Sequence, residues 1–118
     1  MIVHKKQTGY TITDAEARYI EARLPQIEKL LTTPAAAKVD IEIAKEEHGA
    51  TPFYAEITIE DNGKLFRASS EAVSAEVAFE EAKEGILREL REKKHKDNKD
   101  RKKLGAKLKD MFRFGGGK

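Results

Sequence analysis

Arg88, Arg91, Lys94 and His95 follow one another at steps of three, three and one, a spacing that sets them along one side of a helix. Lys96, Lys99, Arg101 and Lys102 continue the run. Such side chains form no nucleophile–base pair. What they can do is hold positive charge along one edge, where charge-assisted hydrogen bonds capture phosphate oxygens. Residues 83–118 carry 14 Lys/Arg against 6 Asp/Glu, while residues 1–82 carry 9 against 15. The chain's net charge of +2 therefore conceals a basic last third beside an acidic body. That division suits a protein that meets a polyanion by one edge and repels it elsewhere. Nucleic acid is the leading partner, with an anionic membrane surface behind it. No aromatic residue interrupts the cluster from Arg88 to Lys102, so phosphate and shape contacts should outweigh base reading. Lysine-rich helices are commonly only solvated surface, and the stretch from Lys93 to Asp100 mixes signs as such a surface would. The one-sided spacing weighs for a binding edge.

Other chemistry finds little support. The chain has no Cys and no Trp, which removes disulfides, thiol catalysis and Cys-ligated zinc. His4, His48 and His95 lie far apart without ligand spacing, and Glu46-Glu47-His48 reads as a solvated loop. Gly115-Gly116-Gly117 precedes no helix and cannot cradle a phosphate. No catalytic residue, metal, cofactor or small-molecule substrate is expected, and the chain does not read as an enzyme. No apolar run approaches the roughly 20 residues that span a bilayer, and the first residues lack the apolar core of a signal peptide. The expectation is a cytoplasmic protein, not membrane-bound, and monomeric when free.

The elements that must hold the basic edge are legible from periodicity. Met1 to Thr8, bounded by Gly9, reads as a short first strand. Thr13-Asp14-Ala15-Glu16 is a capping box opening a helix whose Ala17, Ile20, Leu24, Ile27 and Leu31 share one face. Pro25 removes a bond to the Glu21 carbonyl, predicting a kink, and Thr32-Thr33-Pro34 ends the element. Val39, Ile41 and Ile43 alternate with polar residues, as do Ala55, Ile57 and Ile59, giving two half-buried strands. Asn62-Gly63 is a strong hairpin signal. It predicts Asp61 opposite Lys64, Ile59 opposite Phe66 and Ile57 opposite Ala68. Ser74 is a plausible cap for a second helix, with Ala75, Phe79, Ala82, Ile86 and Leu90 on its apolar face. That helix outruns its apolar face, so its basic end must project toward solvent or a partner.

The resulting order, β-α-β-β-β-α, predicts an α+β sandwich. Two helices pack on one face of a four-stranded, mainly antiparallel sheet, in the manner of double-stranded RNA-binding domains. The open face would carry Asp40, Glu42, Glu56, Thr58, Glu60, Lys64 and Arg67, too acidic for a nucleic-acid platform. Residues 1–103 form the domain, and residues 104–118 a basic tail, amphipathic or flexible, with Leu104, Leu108, Met111 and Phe112 as its apolar side.

Double-stranded RNA-binding domains place a lysine cluster at the start of the last helix, where this chain has the acidic stretch Ser74 to Glu81. The chain more closely resembles the ribosome hibernation promoting factor family, which includes the ribosome-associated inhibitor. The resemblance rests on Thr8-Gly9, on the helix Thr13 to Leu24 with Ile27-Glu28-Lys29-Leu30, and on Ala55 to Ile59 with Asn62-Gly63 and Phe66 to Glu71. It ends on Ile86 to Arg91 running into Lys93-Lys94-His95-Lys96. Gly85 stands where that family commonly has a basic residue. The resemblance implies binding to the small ribosomal subunit, in the mRNA channel at the rRNA of the decoding region. There it would block tRNA and mRNA, inhibit translation and preserve idle ribosomes. Arg88, Arg91, Lys94 and Lys96 match the family's basic contacts, with Lys5 and Lys6 as looser matches near the first strand. It further implies a short-form member without a C-terminal dimerisation domain. A general structured-RNA-binding module, or a membrane-surface module using the basic amphipathic tail, is the alternative.

Overall fold

The computed structural model describes residues 1–93. Its elements are β1 (Ile2–Thr8), α1 (Asp14–Glu28), β2 (Lys38–Lys45), β3 (Phe53–Asp61) and β4 (Lys64–Ala72), followed by a second helix, α2, over residues 75–93. The fold is the expected β-α-β-β-β-α sandwich, and its sheet runs in the order β1-β2-β3-β4. β1 pairs with β2 in parallel, and the other two pairings are antiparallel.

The hairpin of β3 and β4 follows from local chemistry. Asn62 (φ 52°) and Gly63 (φ 75°) both adopt the left-handed conformation, which a two-residue turn matched to the strand twist requires. Asp61 then faces Lys64, Ile59 faces Phe66 and Ile57 faces Ala68, as the turn predicts. Ile59 and Ile57 also meet Val39 and Ile41 of β2, so two apolar rows cross three strands. Val39, Ile41, Ile43, Ala55, Ile57 and Ile59 are all buried.

Both helices cover this single face. The Thr13 hydroxyl accepts the Glu16 amide at 3.1 Å and the Glu16 carboxylate accepts the Thr13 amide at 2.9 Å, closing the capping box at the start of α1. The helix runs through Pro25, whose carbonyl accepts the Lys29 amide at 3.1 Å. It ends at Glu28, short of the Thr32-Thr33-Pro34 boundary. Leu31 therefore sits in the following turn, yet remains buried. Contacts between the helices advance together along both: Tyr19 meets Phe79 edge-on, Arg23 pairs with Glu80, and Lys83 donates to Gln26. The helices thus lie side by side and run the same way, with the fully buried Phe79 ring among the largest groups of the core.

The turn after α1 is tied to the sheet by Asp61, which is 3% exposed. Its carboxylate accepts the Thr32 amide at 2.6 Å, the Thr33 amide at 2.8 Å and the Thr33 hydroxyl at 2.7 Å. Burial pushes this carboxyl up, but the hydrogen bonds from Thr32 and Thr33 together outweigh burial and hold it below the usual range. With the folded value depressed, the stability contributed by Asp61 is complete above the unfolded value of about 4 and is lost as pH falls through the folded one. We expect Asp61→Ala to lower the unfolding free energy by about 2 kcal/mol at neutral pH, measured by urea denaturation. The difference from the unsubstituted chain should shrink progressively below about pH 4.

Candidate nucleic-acid interface

Four features hold the basic edge of α2. Ser74 caps the helix, its hydroxyl accepting the Val77 amide at 3.2 Å and its carbonyl the Ala78 amide at 3.0 Å. Ala75, Ala78, Phe79, Ala82, Ile86, Leu87 and Leu90 are buried against the sheet and α1. Gly85 lets the helix approach β4 closely, since a Cβ there would stand 3.1 Å from that of Ala68. A basic residue at Gly85, as is common in the resembling family, would crowd this contact. Farther along, the Glu89 carboxylate accepts the Arg67 backbone amide at 3.2 Å, satisfying a donor on the sheet edge. Between and beyond these anchors Arg88 and Arg91 are exposed. Neither forms an ion pair with a described carboxylate. Two guanidinium groups thus stand on a helix whose opposite side is locked in the core.

A buried ionic seam joins α2 to α1. Lys83 is 3% exposed and its ammonium donates to Glu80 at 2.7 Å and Gln26 at 3.0 Å, with Glu84 at 3.2 Å. Glu80 also accepts from the Tyr19 hydroxyl at 2.8 Å and from Arg23 Nε at 3.0 Å, while the Arg23 guanidinium lies 3.2 Å above the Tyr19 ring centroid. Burial pushes the Glu80 carboxyl up, but hydrogen bonds from Lys83, Tyr19 and Arg23 outweigh it and hold the group below the usual range. Lys83 belongs to the basic third of the sequence but is spent inside the fold. Its place in the apolar stripe, four residues after Phe79 and four before Leu87, was the available signal.

Lys5 and Lys6 are not brought together. Strand alternation sends them to opposite faces of the sheet. Lys5 pairs with Glu21 of α1 at 3.0 Å and Lys6 with Glu42 on the open face at 3.6 Å. Lys94, His95, Lys96, Lys99, Arg101 and Lys102, with the tail 104–118, lie outside the described residues.

The open face has the expected acidic centre. Glu42 and Glu56 stand directly opposite each other, a like-charge pairing that destabilises a sheet unless it is neutralised. Lys6 answers Glu42, and Arg67 answers Glu56 at 2.9 Å. The Tyr54 hydroxyl also donates to Glu56. That hydrogen bond and those of Arg67, against burial, hold the Glu56 carboxyl below the usual range. Lys6 and Arg67 are thus committed to their neighbours. Lys38, opposite Glu60 on this face, has no ion pair with a described carboxylate. Lys64, expected here, lies instead on the other face, opposite the buried Asp61. Among the described residues no three His, Asp or Glu are placed to hold a metal ion, and no helix is long and apolar enough to cross a membrane.

A family model described as "Sigma 54 modulation protein / S30EA ribosomal protein" matches residues 3–98. No curated protein matches the sequence. Among solved structures, the N-terminal domain of Protein Y from Thermus thermophilus is similar at 20% identity and a TM-score of 0.63, over 76% of this chain and 96% of that one. A ribosomal subunit interface protein from Coxiella burnetii is similar at 11% identity and a TM-score of 0.64, over 80% and 99%. These likenesses establish the fold.

The ionic seam predicts a separation of stability from charge. Glu80→Ala should lower the unfolding free energy by about 2 kcal/mol, read by urea denaturation, because it removes the shortest partner of the buried Lys83 ammonium and the shared acceptor of Tyr19 and Arg23. Arg88→Ala, on the exposed edge, should stay within about 0.5 kcal/mol of the unsubstituted chain.

Proposed function

The chain belongs to the sigma 54 modulation protein / S30EA ribosomal protein family, and from that premise we propose that it is a ribosome hibernation factor acting on the small subunit. In this reading the exposed edge of α2 lies on rRNA in the mRNA channel at the decoding region. The body of the domain then occupies the space that tRNA and mRNA need, so that translation stops and the idle ribosome is preserved. The observation that carries the reading is the pair Arg88 and Arg91. They are exposed and have no described carboxylate partner, on a helix fixed by burial on its other side.

The mechanism is occlusion, with no covalent chemistry. Guanidinium groups fit phosphate oxygens in a planar, bidentate manner and are weakly hydrated, so little is lost on transfer to an rRNA surface. Binding releases the counterions condensed on the phosphates, which makes it strongly salt-dependent. Preorganisation adds to this: the two arginines ride on a capped and buried helix, so binding does not have to order the backbone that carries them. Lys94, His95, Lys96, Lys99, Arg101 and Lys102 would extend the contact along the chain beyond Arg91. Lys5 and Lys6 are weaker candidates, because each would first have to leave its carboxylate.

Co-sedimentation of the purified chain with small subunits, at a series of salt concentrations, tests the reading. The chain should co-migrate at low salt, lose affinity steeply as salt rises, and compete with tRNA. Arg88→Glu with Arg91→Glu should abolish co-migration while leaving the unfolding midpoint nearly unchanged. Retained binding by that variant would remove the α2 edge from the interface.

A further inference from the structure

The domain distributes its ion pairs unevenly from end to end. β4 runs parallel to β2 and β2 parallel to β1, and each helix returns against the strand it follows. The starts of β1, β2 and β4 therefore share one end of the domain with the last turns of α1 and α2. Contacts fix this placement: Ile2 bonds the Ala37 carbonyl, the Met1 amine lies 4.0 Å from Glu28, and Glu89 of α2 reaches the Arg67 amide near the start of β4.

Lys29 caps α1 at this end, Lys38 opens β2 and Lys64 opens β4. All three are exposed, and like Arg88 and Arg91 none has an ion pair with a described carboxylate. Elsewhere in the described chain the cations are mostly engaged: Lys5, Lys6, Arg23, Arg67 and Lys83 all pair with carboxylates. Lys45 lies over the Phe53 ring at 5.2 Å, which leaves Arg18 alone on the outer side of α1. The acids at the basic end are largely committed. Glu28 faces the terminal amine, Asp61 holds Thr32 and Thr33, and Glu89 holds the Arg67 amide. Glu60, opposite Lys38 in register, and Glu92 are the exceptions.

A cation at the end of α1 offsets the helix dipole, and that accounts for Lys29 without any ligand. It accounts for neither Lys38 nor Lys64, which begin strands and cap nothing. We infer that Lys29, Lys38 and Lys64 form a second phosphate-binding surface continuous with Arg88 and Arg91, so that rRNA wraps the end of the domain as well as following the edge of α2. This deepens the function proposed above and rests on it. A surface that turns a corner recognises a phosphate path bent around it, so the end cap would fix the direction in which the domain enters the channel.

The test compares two sets of substitutions in the full chain, all at exposed positions. One is Lys29→Gln with Lys38→Gln and Lys64→Gln; the other is Arg18→Gln with Lys45→Gln. Binding to small subunits is titrated against salt, and folding is checked by urea denaturation. The first set should reduce the slope of log affinity against log salt by about one unit per lysine, and the second should leave it unchanged. An unchanged slope for the lysine set, with the unsubstituted chain binding, would overturn the end-cap surface and leave the α2 edge standing. An equal loss per charge from both sets would also overturn it, reducing the effect to net charge. No binding by the unsubstituted chain would overturn both readings.

Discussion

Everything in this domain depends on the sheet burying one face only, in one register. The alternation along β2 and β3 is strict, so a slip of one residue would turn Val39, Ile41, Ile43, Ile57 and Ile59 to water together. The two left-handed residues of the Asn62-Gly63 turn set that register between β3 and β4, and the matching apolar rows set it between β2 and β3. Once the register holds, both helices must lie on the same side, and Phe79, Ile27 and Ile86 meet the isoleucine rows. The position of every charged group discussed above is a consequence.

The fold then sorts its charges by use. Where cations and carboxylates meet in the seam between α1 and α2 or across the open face, they neutralise one another and contribute to position more than to reach. Glu80 gathers Tyr19, Arg23 and Lys83, which joins the two helices along their length. Glu42 and Glu56 each draw in a cation from a flanking strand. Among the described residues, what remains available for a polyanion is the set of exposed cations left without such partners, Lys29, Lys38, Lys64, Arg88 and Arg91 among them.

Several parts of this were legible beforehand because they are set by neighbours in the chain. The capping box at Thr13 and Glu16, the Ser74 cap, the hairpin register and the apolar stripe of α2 each depend on residues a few positions apart. The same logic could place Arg88 and Arg91 on the outside of a helix, since Arg88 falls opposite Ile86 and Leu90 and Arg91 lies three residues on, beside it on the polar side. Other parts depend on partners distant in sequence. Asp61 reads locally as a hairpin residue, yet its carboxylate serves Thr32 and Thr33. Lys83 reads as part of a basic run, yet it is buried against Gln26 and Glu80. Leu31 reads as the last turn of α1 but packs from the turn beyond it.

The amino-acid sequence alone determined the element order, the register of the β3–β4 hairpin, the buried face and the concentration of positive charge in the last third, because each follows from spacing within one element or between adjacent ones. Only the tertiary structure decided which of the charges are available. An ion pair forms between groups that the fold brings within a few ångströms, and the pairs that remove Lys5, Lys6 and Lys83 from the basic inventory join different elements or bury their cation between two of them. The same packing gathers Lys29, Lys38 and Lys64 at the end where α2 carries its arginines. No local spacing relates those positions, since they meet through parallel strands and parallel helices.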